Sequence, residues 1–182
     1  MVAIPHLDML PADADVAVSF GPRFVQGERS GAASRGVAEL LLFEPVFAVA
    51  APALAKRARL RRPADLVRTS PLCPLLRCPQ EPWGPWFAAA GVLTSEPTHG
   101  LILVDIGLSV EAAASGQGVA LARAGLASRW LTRGELIDLF AVRLPPRDGY
   151  SLSVQQASSL ALDFAQWLRR ECALLEANSC RT

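Results

Sequence analysis

Residues 111–145 read EAAASGQGVALARAGLASRWLTRGELIDLFAVRLP, and no other stretch restricts the fold as much. Ala112, Ala113 and Ala114 are helix formers, and Gly116 stands where a left-handed C-terminal cap belongs. Gln117 and Gly118 make a tight turn, and residues 119–122 are short, unbroken and apolar, the pattern of a buried parallel strand. Residues 124–133 predict a second helix with Gly134 as its stop. Leu136, Ile137, Leu139, Phe140 and Val142 predict a further strand. Helices alternating with apolar strands in this way predict an α/β fold. The stretch holds no catalytic residue pattern.

The flanking chain extends the same alternation. Residues 14–20 place Val16 and Val18 on one strand face, ended by Gly21 and Pro22. Residues 23–36, rich in Gly, Ser and Arg, predict a loop. Residues 37–49 form a long apolar run, but Pro45 cannot donate to a ladder, so the run predicts two strands with a joint. A short helix at 53–58 leads into the basic run Lys56, Arg57, Arg59, Arg61 and Arg62. Such a run is either a nucleic-acid patch or a solvated loop before the turn of helix predicted at 63–66. Residues 72–76 are a strand candidate weakened by Pro71 and Pro74, and residues 83–91 predict a helix with Pro85 in its first turn and Gly91 as its cap. Trp83, Trp86 and Phe87 recur at helical spacing and are read as core rather than as a ligand platform. Residues 98–104 predict a buried strand, with Asp105 as N-cap of the next helix. After a turn at 145–149 and a strand at 150–154, residues 157–175 contain no Gly or Pro. There Leu160, Phe164, Trp167, Leu168, Cys172 and Leu175 recur at threes and fours, the signature of one apolar helix stripe.

Composition excludes several classes of function. The 182 residues carry a net charge of +1, with 51% hydrophobic and 19% charged residues. That is an ordinary globular balance with room for one or two lobes, and this chain alone is expected not to bind DNA. The N-terminus lacks a basic region, and Pro5, His6 and Asp8 interrupt its apolar residues, so no secretory signal is expected. No run reaches membrane-spanning length, and a cytoplasmic location follows as the expectation. Cys73, Cys78, Cys172 and Cys180 lack zinc-knuckle spacing and are read as reduced thiols. The two histidines, His6 and His99, form no cluster, and no GxSxG, HExxH or Walker glycine loop is present, so neither enzyme nor cofactor nor metal is expected. SGQGVAL runs from helix to strand, the reverse of the order that aims a helix N-terminus at a phosphate.

What remains is a binding site at the carboxyl ends of strands. Three ends qualify: Ser19-Phe20-Gly21, Leu76-Arg77-Cys78 and Val104-Asp105-Ile106. Free amides at Ile106 suit a carboxylate, and Asp105 opposes one unless its side chain is spent on the cap. Arg77 is either a bidentate carboxylate ligand or a plain surface arginine.

AAASGQGVALARAGLASRWLTRGELIDLF, residues 112–140, resembles the late part of the effector-binding domain of LysR-type transcriptional regulators, in the branch that looks like the glycine-cleavage activator. ADVAVSFG at 14–21, LLLFEPVFAVAAPALA at 40–55, RRPADL at 61–66, WGPWFAAAGV at 83–92 and FAQWLRRE at 164–171 agree in the same order. The resemblance implies a two-lobed, periplasmic-binding-protein-like type 2 fold. Residues 47–145 would be a complete second lobe, and residues 1–46 with 146–182 an N-terminally truncated first lobe. It further implies a small anionic effector bound between lobes, against strand ends such as those that carry Ser19, Phe20, Gly21, Arg77, Val104, Asp105 and Ile106. DNA would be reached only through a helix-turn-helix absent from this chain, and an incomplete first lobe would drive homo-oligomers. The alternative, a periplasmic-type solute-binding protein, shares the architecture but predicts a signal peptide that this N-terminus lacks.

Overall fold

Pro45 has no N–H to offer a ladder, and the apolar run it interrupts folds as two strands that belong to different sheets. The computed structural model describes residues 14–22, 39–68, 73–94 and 99–179. In chain order the elements are β1 (Val16–Pro22), β2 (Glu39–Leu42), β3 (Val46–Ala50), α1 (Pro52–Arg57), α2 (Asp65–Arg68) and α3 (Trp83–Ala89). They continue with α4 (Ile106–Ala114), β4 (Ala120–Arg123), α5 (Ala124–Thr132), β5 (Ile137–Asp138), β6 (Asp148–Val154) and α6 (Ser159–Ser179). The chain divides into two compact units, Met1–Glu44 with Pro146–Thr182, and Pro45–Pro145.

In the first unit β6 is the central strand, antiparallel to β1 on one side and to β2 on the other. Val16 pairs with Val154 and Pro22 with Asp148, so β1 continues through Gly21 and Pro22; as an edge strand it tolerates the proline. The buried face of β1 carries Ala17 and Ser19, while Val16 and Val18 are half-buried. Alternation separates two faces, but the layer packed on them decides which is covered. Helix α6 lies against β2 and β6. It buries Ala161, Ala165 and Cys172, whereas Leu160 is 77% and Trp167 52% exposed, Leu175 is exposed, and Phe164 and Leu168 are half-buried. The single stripe expected here therefore resolves into two, because the small residues allow the closer approach to the sheet and so form the packing stripe.

In the second unit β3 is central and buried along its whole length, between β4 and β5, both antiparallel to it. Its period of two sends Val46, Ala48 and Ala50 into one apolar cluster with Leu54, Trp83, Trp86, Phe87 and Phe140. Phe47 and Val49 enter the other, with Val110, Ala113, Ala127 and Leu136. Trp83, Trp86 and Phe87 are core, as their spacing predicts, with ring centroids 5.5 Å apart, and the Trp83 Nε1–H donates to the Leu76 carbonyl at 2.9 Å. Helices α4 and α5 end at glycines with φ of +76° at Gly116 and +69° at Gly134, a region that an L side chain enters only under strain.

Four strand expectations fail in this unit. Residues 119–122 do not join a parallel sheet: β4 runs antiparallel to β3, and Val119 alone makes a parallel bridge, to Leu75. The run from Leu136 to Val142 yields only the two-residue β5, with Leu136 buried and Ile137 exposed, since its apolar residues turn to both sides of the chain rather than into one layer. The expected buried strand at 98–104 is not one. Thr98 lies outside the described residues, Leu101 is 50%, Ile102 59% and Val104 79% exposed, and among the described residues the segment bridges on one side only, at Arg77. Residues 72–76 also fall short of a strand. Leu72 lies outside the described residues, and Leu75 and Arg77 make isolated bridges, as expected where Pro74 lacks a donor.

Candidate functional site

Three segments of the second unit run parallel. The Leu76 N–H donates to the Val119 carbonyl at 2.8 Å, and the Val119 N–H to Pro74 at 2.9 Å. On the other side the Arg77 N–H donates to Leu101 and the Leu103 N–H to Arg77, both at 2.8 Å. Since both bridges are parallel, the carboxyl ends of these segments deliver Cys78, Asp105 and Arg123 to the same end of the unit. In open α/β sheets ligands lie beyond the carboxyl ends of parallel strands, which makes this end the candidate site.

The turn after Arg77 is tight, with the Glu81 N–H donating to Cys78 at 3.1 Å. It places Glu81 against Arg123 in an ion pair whose side chains are 7% and 5% exposed. A charge pair so far from water holds only through close geometry, and losing one partner leaves an uncompensated buried charge. Beside it the Gln80 Oε1 accepts from the Ile106 N–H at 3.4 Å, which ties the turn to the start of α4. Asp105 is the N-cap the sequence predicts: its Oδ1 accepts from the Leu108 N–H at 2.9 Å, and the Ser109 hydroxyl donates to its carbonyl at 3.1 Å. Its carboxylate is thus engaged within the helix start.

Of the residues named from the sequence, Arg77, Val104, Asp105 and Ile106 belong to this end of the second unit: Arg77 is half-buried, Val104 exposed and Ile106 buried. Ser19, Phe20 and Gly21 belong to the first unit, where Ser19 is buried opposite Ser151 and the Phe20 ring lies 5.0 Å from Tyr150. Gln80, Glu81 and Arg123 were missed. The available signal was Arg123 itself, a charge closing an otherwise apolar strand and therefore in need of a partner.

Burial pushes the Cys73, Cys78 and Cys172 thiols up, so they stay protonated and are poor nucleophiles or metal ligands near neutral pH. All three are free. Among the described residues no group of three or more His, Cys, Asp or Glu could hold a metal ion, and no helix is long and apolar enough to cross a membrane. The arginine run at 57–62 is solvent-exposed at Arg57, Arg59, Arg61 and Arg62. Its backbone is fixed by Asp65, which accepts from the Arg61 and Arg62 N–H groups at 2.9 and 3.0 Å, as befits a structured solvated loop.

The family model for the LysR substrate binding domain matches residues 6–173. The HTH-type transcriptional activator AmpR of Pseudomonas aeruginosa is 33% identical over 177 residues, which cover 94% of this chain and 54% of that protein. AmpR of Citrobacter koseri is 36% identical over 107 residues, 58% of this chain and 35% of that protein. Among solved structures, the effector domain of AmpR from Pseudomonas aeruginosa superposes with a TM-score of 0.68 at 31% identity, covering 92% of this chain and 76% of that one. Full-length AphB of Vibrio cholerae shares the fold, with a TM-score of 0.62 at 15% identity over 90% of this chain and 54% of that one. This chain spans about half the length of the first of these curated relatives.

Proposed function

The chain belongs to the LysR substrate binding domain family, with its periplasmic-binding-protein-like type 2 fold, and on that premise we propose that it senses a small anionic effector for a transcriptional regulator. The observation that carries this reading is the parallel convergence of Arg77, the α4 N-terminus and the buried Glu81–Arg123 pair at one end of the second unit. Amides at a helix start favour an anion, Arg77 offers a planar two-point donor to a carboxylate, and the cap engages the Asp105 carboxylate that would otherwise repel one. Val104 and Ile106 supply apolar contact at the same end. Ser19, Phe20 and Gly21 are proposed as contacts from the first unit, on the family resemblance of ADVAVSFG.

The two units are proposed to be the two lobes of the domain. The wording of residues 112–140 supports placing the chain in the glycine-cleavage-activator-like branch. DNA contact falls to a domain separate from this one, and the protein works in the cytoplasm as a homo-oligomer. The matches are to regulatory domains and not to a periplasmic solute-binding protein, so that alternative falls away. The relatives are transcriptional activators rather than enzymes.

A thermal-shift panel of small organic acids tests the reading. A ligand held only by the native state raises the melting temperature by mass action, about 2.7 kcal/mol of stabilisation at a hundredfold excess over Kd. At least one carboxylate is expected to do so, and Arg77→Ala is expected to abolish the response. An Arg77→Ala protein that responds like the wild type removes Arg77 from the site.

A further inference from the structure

Helices α1, α3, α4 and α5 close in the same way, but α1 does so without glycine. Past the C-caps of α3, α4 and α5 stand Gly91, Gly116 and Gly134, with φ between +68° and +76°. The next amide returns to the helix in each: the Val92 N–H to Phe87, the Gln117 N–H to Ala112 and the Glu135 N–H to Trp130, at 2.9–3.0 Å. At α1 the Leu60 N–H donates to the Ala55 carbonyl at 3.0 Å and the Arg59 N–H to Lys56 at 3.2 Å, and the left-handed position holds Arg59 at φ +52°. Among the described residues Arg59 alone takes a positive φ without being glycine. Strain that a glycine would relieve, kept at a charged residue, points to a use for the charge. Arg59 lies within a run of cations: Lys56, Arg57, Arg59, Arg61, Arg62 and Arg68 are all exposed, and among the described residues only Arg62 has an ion pair, with Asp65. Lys56, Arg57 and Arg68 lie in the last turns of α1 and α2, where the helix dipole favours them. Arg59, Arg61 and Arg62 have no such reason. Asp65 holds the Arg61 and Arg62 amides and Leu60 packs on the core, so the run is presented on a fixed loop.

We propose that this face docks a short acidic segment of a partner protein. Arginine forks grip carboxylates at two points, and clusters of them read acidic motifs. Two observations favour a protein segment over nucleic acid. Val67, between Asp65 and Arg68, is 45% exposed and offers an apolar contact that a phosphate backbone does not use. The stretch from Lys56 to Arg68 sets six cations against one carboxylate in a chain of net charge +1, so the remainder is acidic. That remainder opposes a long polyanion and leaves a short segment unhindered. The occupant is therefore a segment that combines carboxylates with an apolar side chain. The proposal uses neither Arg77 nor the α4 N-terminus and is independent of the effector reading.

Fluorescence anisotropy at physiological ionic strength tests it, with a short labelled peptide of repeated Glu-Glu-Leu and, separately, a short labelled DNA duplex as probes. The whole chain is expected to bind the peptide and not the duplex. Arg61→Ala with Arg62→Ala is expected to weaken peptide binding roughly tenfold or more, with circular dichroism confirming the fold. Arg59→Gly is expected to weaken it roughly threefold or more while raising the melting temperature, because glycine takes the left-handed position without strain. A purely structural Arg59 would not move binding and stability in opposite directions. A chain that leaves the peptide free, or one whose peptide affinity is untouched by Arg59→Gly or by Arg61→Ala with Arg62→Ala, overturns the proposal. A duplex bound as tightly as the peptide overturns it in favour of a nucleic-acid face.

Discussion

Arg123→Met removes the counter-charge of Glu81 while keeping most of the side-chain volume. Both side chains are almost wholly out of solvent, at 5% and 7% exposure, so the remaining carboxylate cannot simply rehydrate. Breaking a buried pair from one side costs about 3–5 kcal/mol, against a total of about 5–15 kcal/mol for a domain. For a unit the size of Pro45–Pro145, even the low end lowers the melting temperature by about 12–24 °C, at roughly 4–8 °C per kcal/mol. Denaturant unfolding followed by tryptophan fluorescence is the assay, since Trp83 and Trp86 are fully buried in this unit and report its opening. Replacing both partners, Glu81→Leu with Arg123→Met, is expected to recover most of the loss, because the desolvation penalty of the pair disappears with it. A single-mutant loss below about 1 kcal/mol, the worth of an exposed pair, or a double mutant no better than the single, refutes the claim that a buried charge pair underlies the candidate site.

Further outcomes concern the buried thiols and the α4 N-cap. The Cys73, Cys78 and Cys172 thiols, held up by burial, are expected to resist Ellman's reagent in the native chain and to react on unfolding. Since each folded thiol ionises at higher pH than the unfolded one, their contribution to stability is complete below the ordinary cysteine range and is lost as pH rises above it; urea midpoints taken through alkaline pH check this. Asp105→Ala is expected to cost about 0.5–2 kcal/mol through the lost N-cap while tightening any carboxylate ligand at the α4 N-terminus, and isothermal titration with the denaturation midpoint separates the two effects.

Local chemistry determined a good part of this fold from the sequence alone. Pro45 divides two strands because it lacks an N–H. Gly116 and Gly134 end helices because only they enter the left-handed region without strain, and Asp105 caps α4 because its carboxylate reaches the Leu108 amide three residues on. Trp83, Trp86 and Phe87 lie in the core because three aromatic rings on one short helix have too much apolar surface to leave in water. Arg77, Asp105 and Ile106 were expected at the carboxyl ends of two strands; they do lie at one end of the second unit, although neither segment forms a strand. What the sequence did not show depends on partners distant in the chain. The direction of β4 is set by β3, more than 70 residues earlier, and an apolar strand reads the same beside a parallel or an antiparallel neighbour. Leu101, Ile102 and Val104 are as apolar as any core strand, yet they stay exposed because, among the described residues, the segment bridges only to Arg77. Glu81 and Arg123 lie 42 positions apart, and nothing local marks either as the other's counter-charge. On α6 both stripes satisfy helical periodicity, and the inward one is that of Ala161, Ala165 and Cys172 because only small side chains let the helix approach β2 and β6. Periodicity and capping act over a few residues and can be read in order, whereas burial and ion pairing are decided by what the folded chain brings alongside.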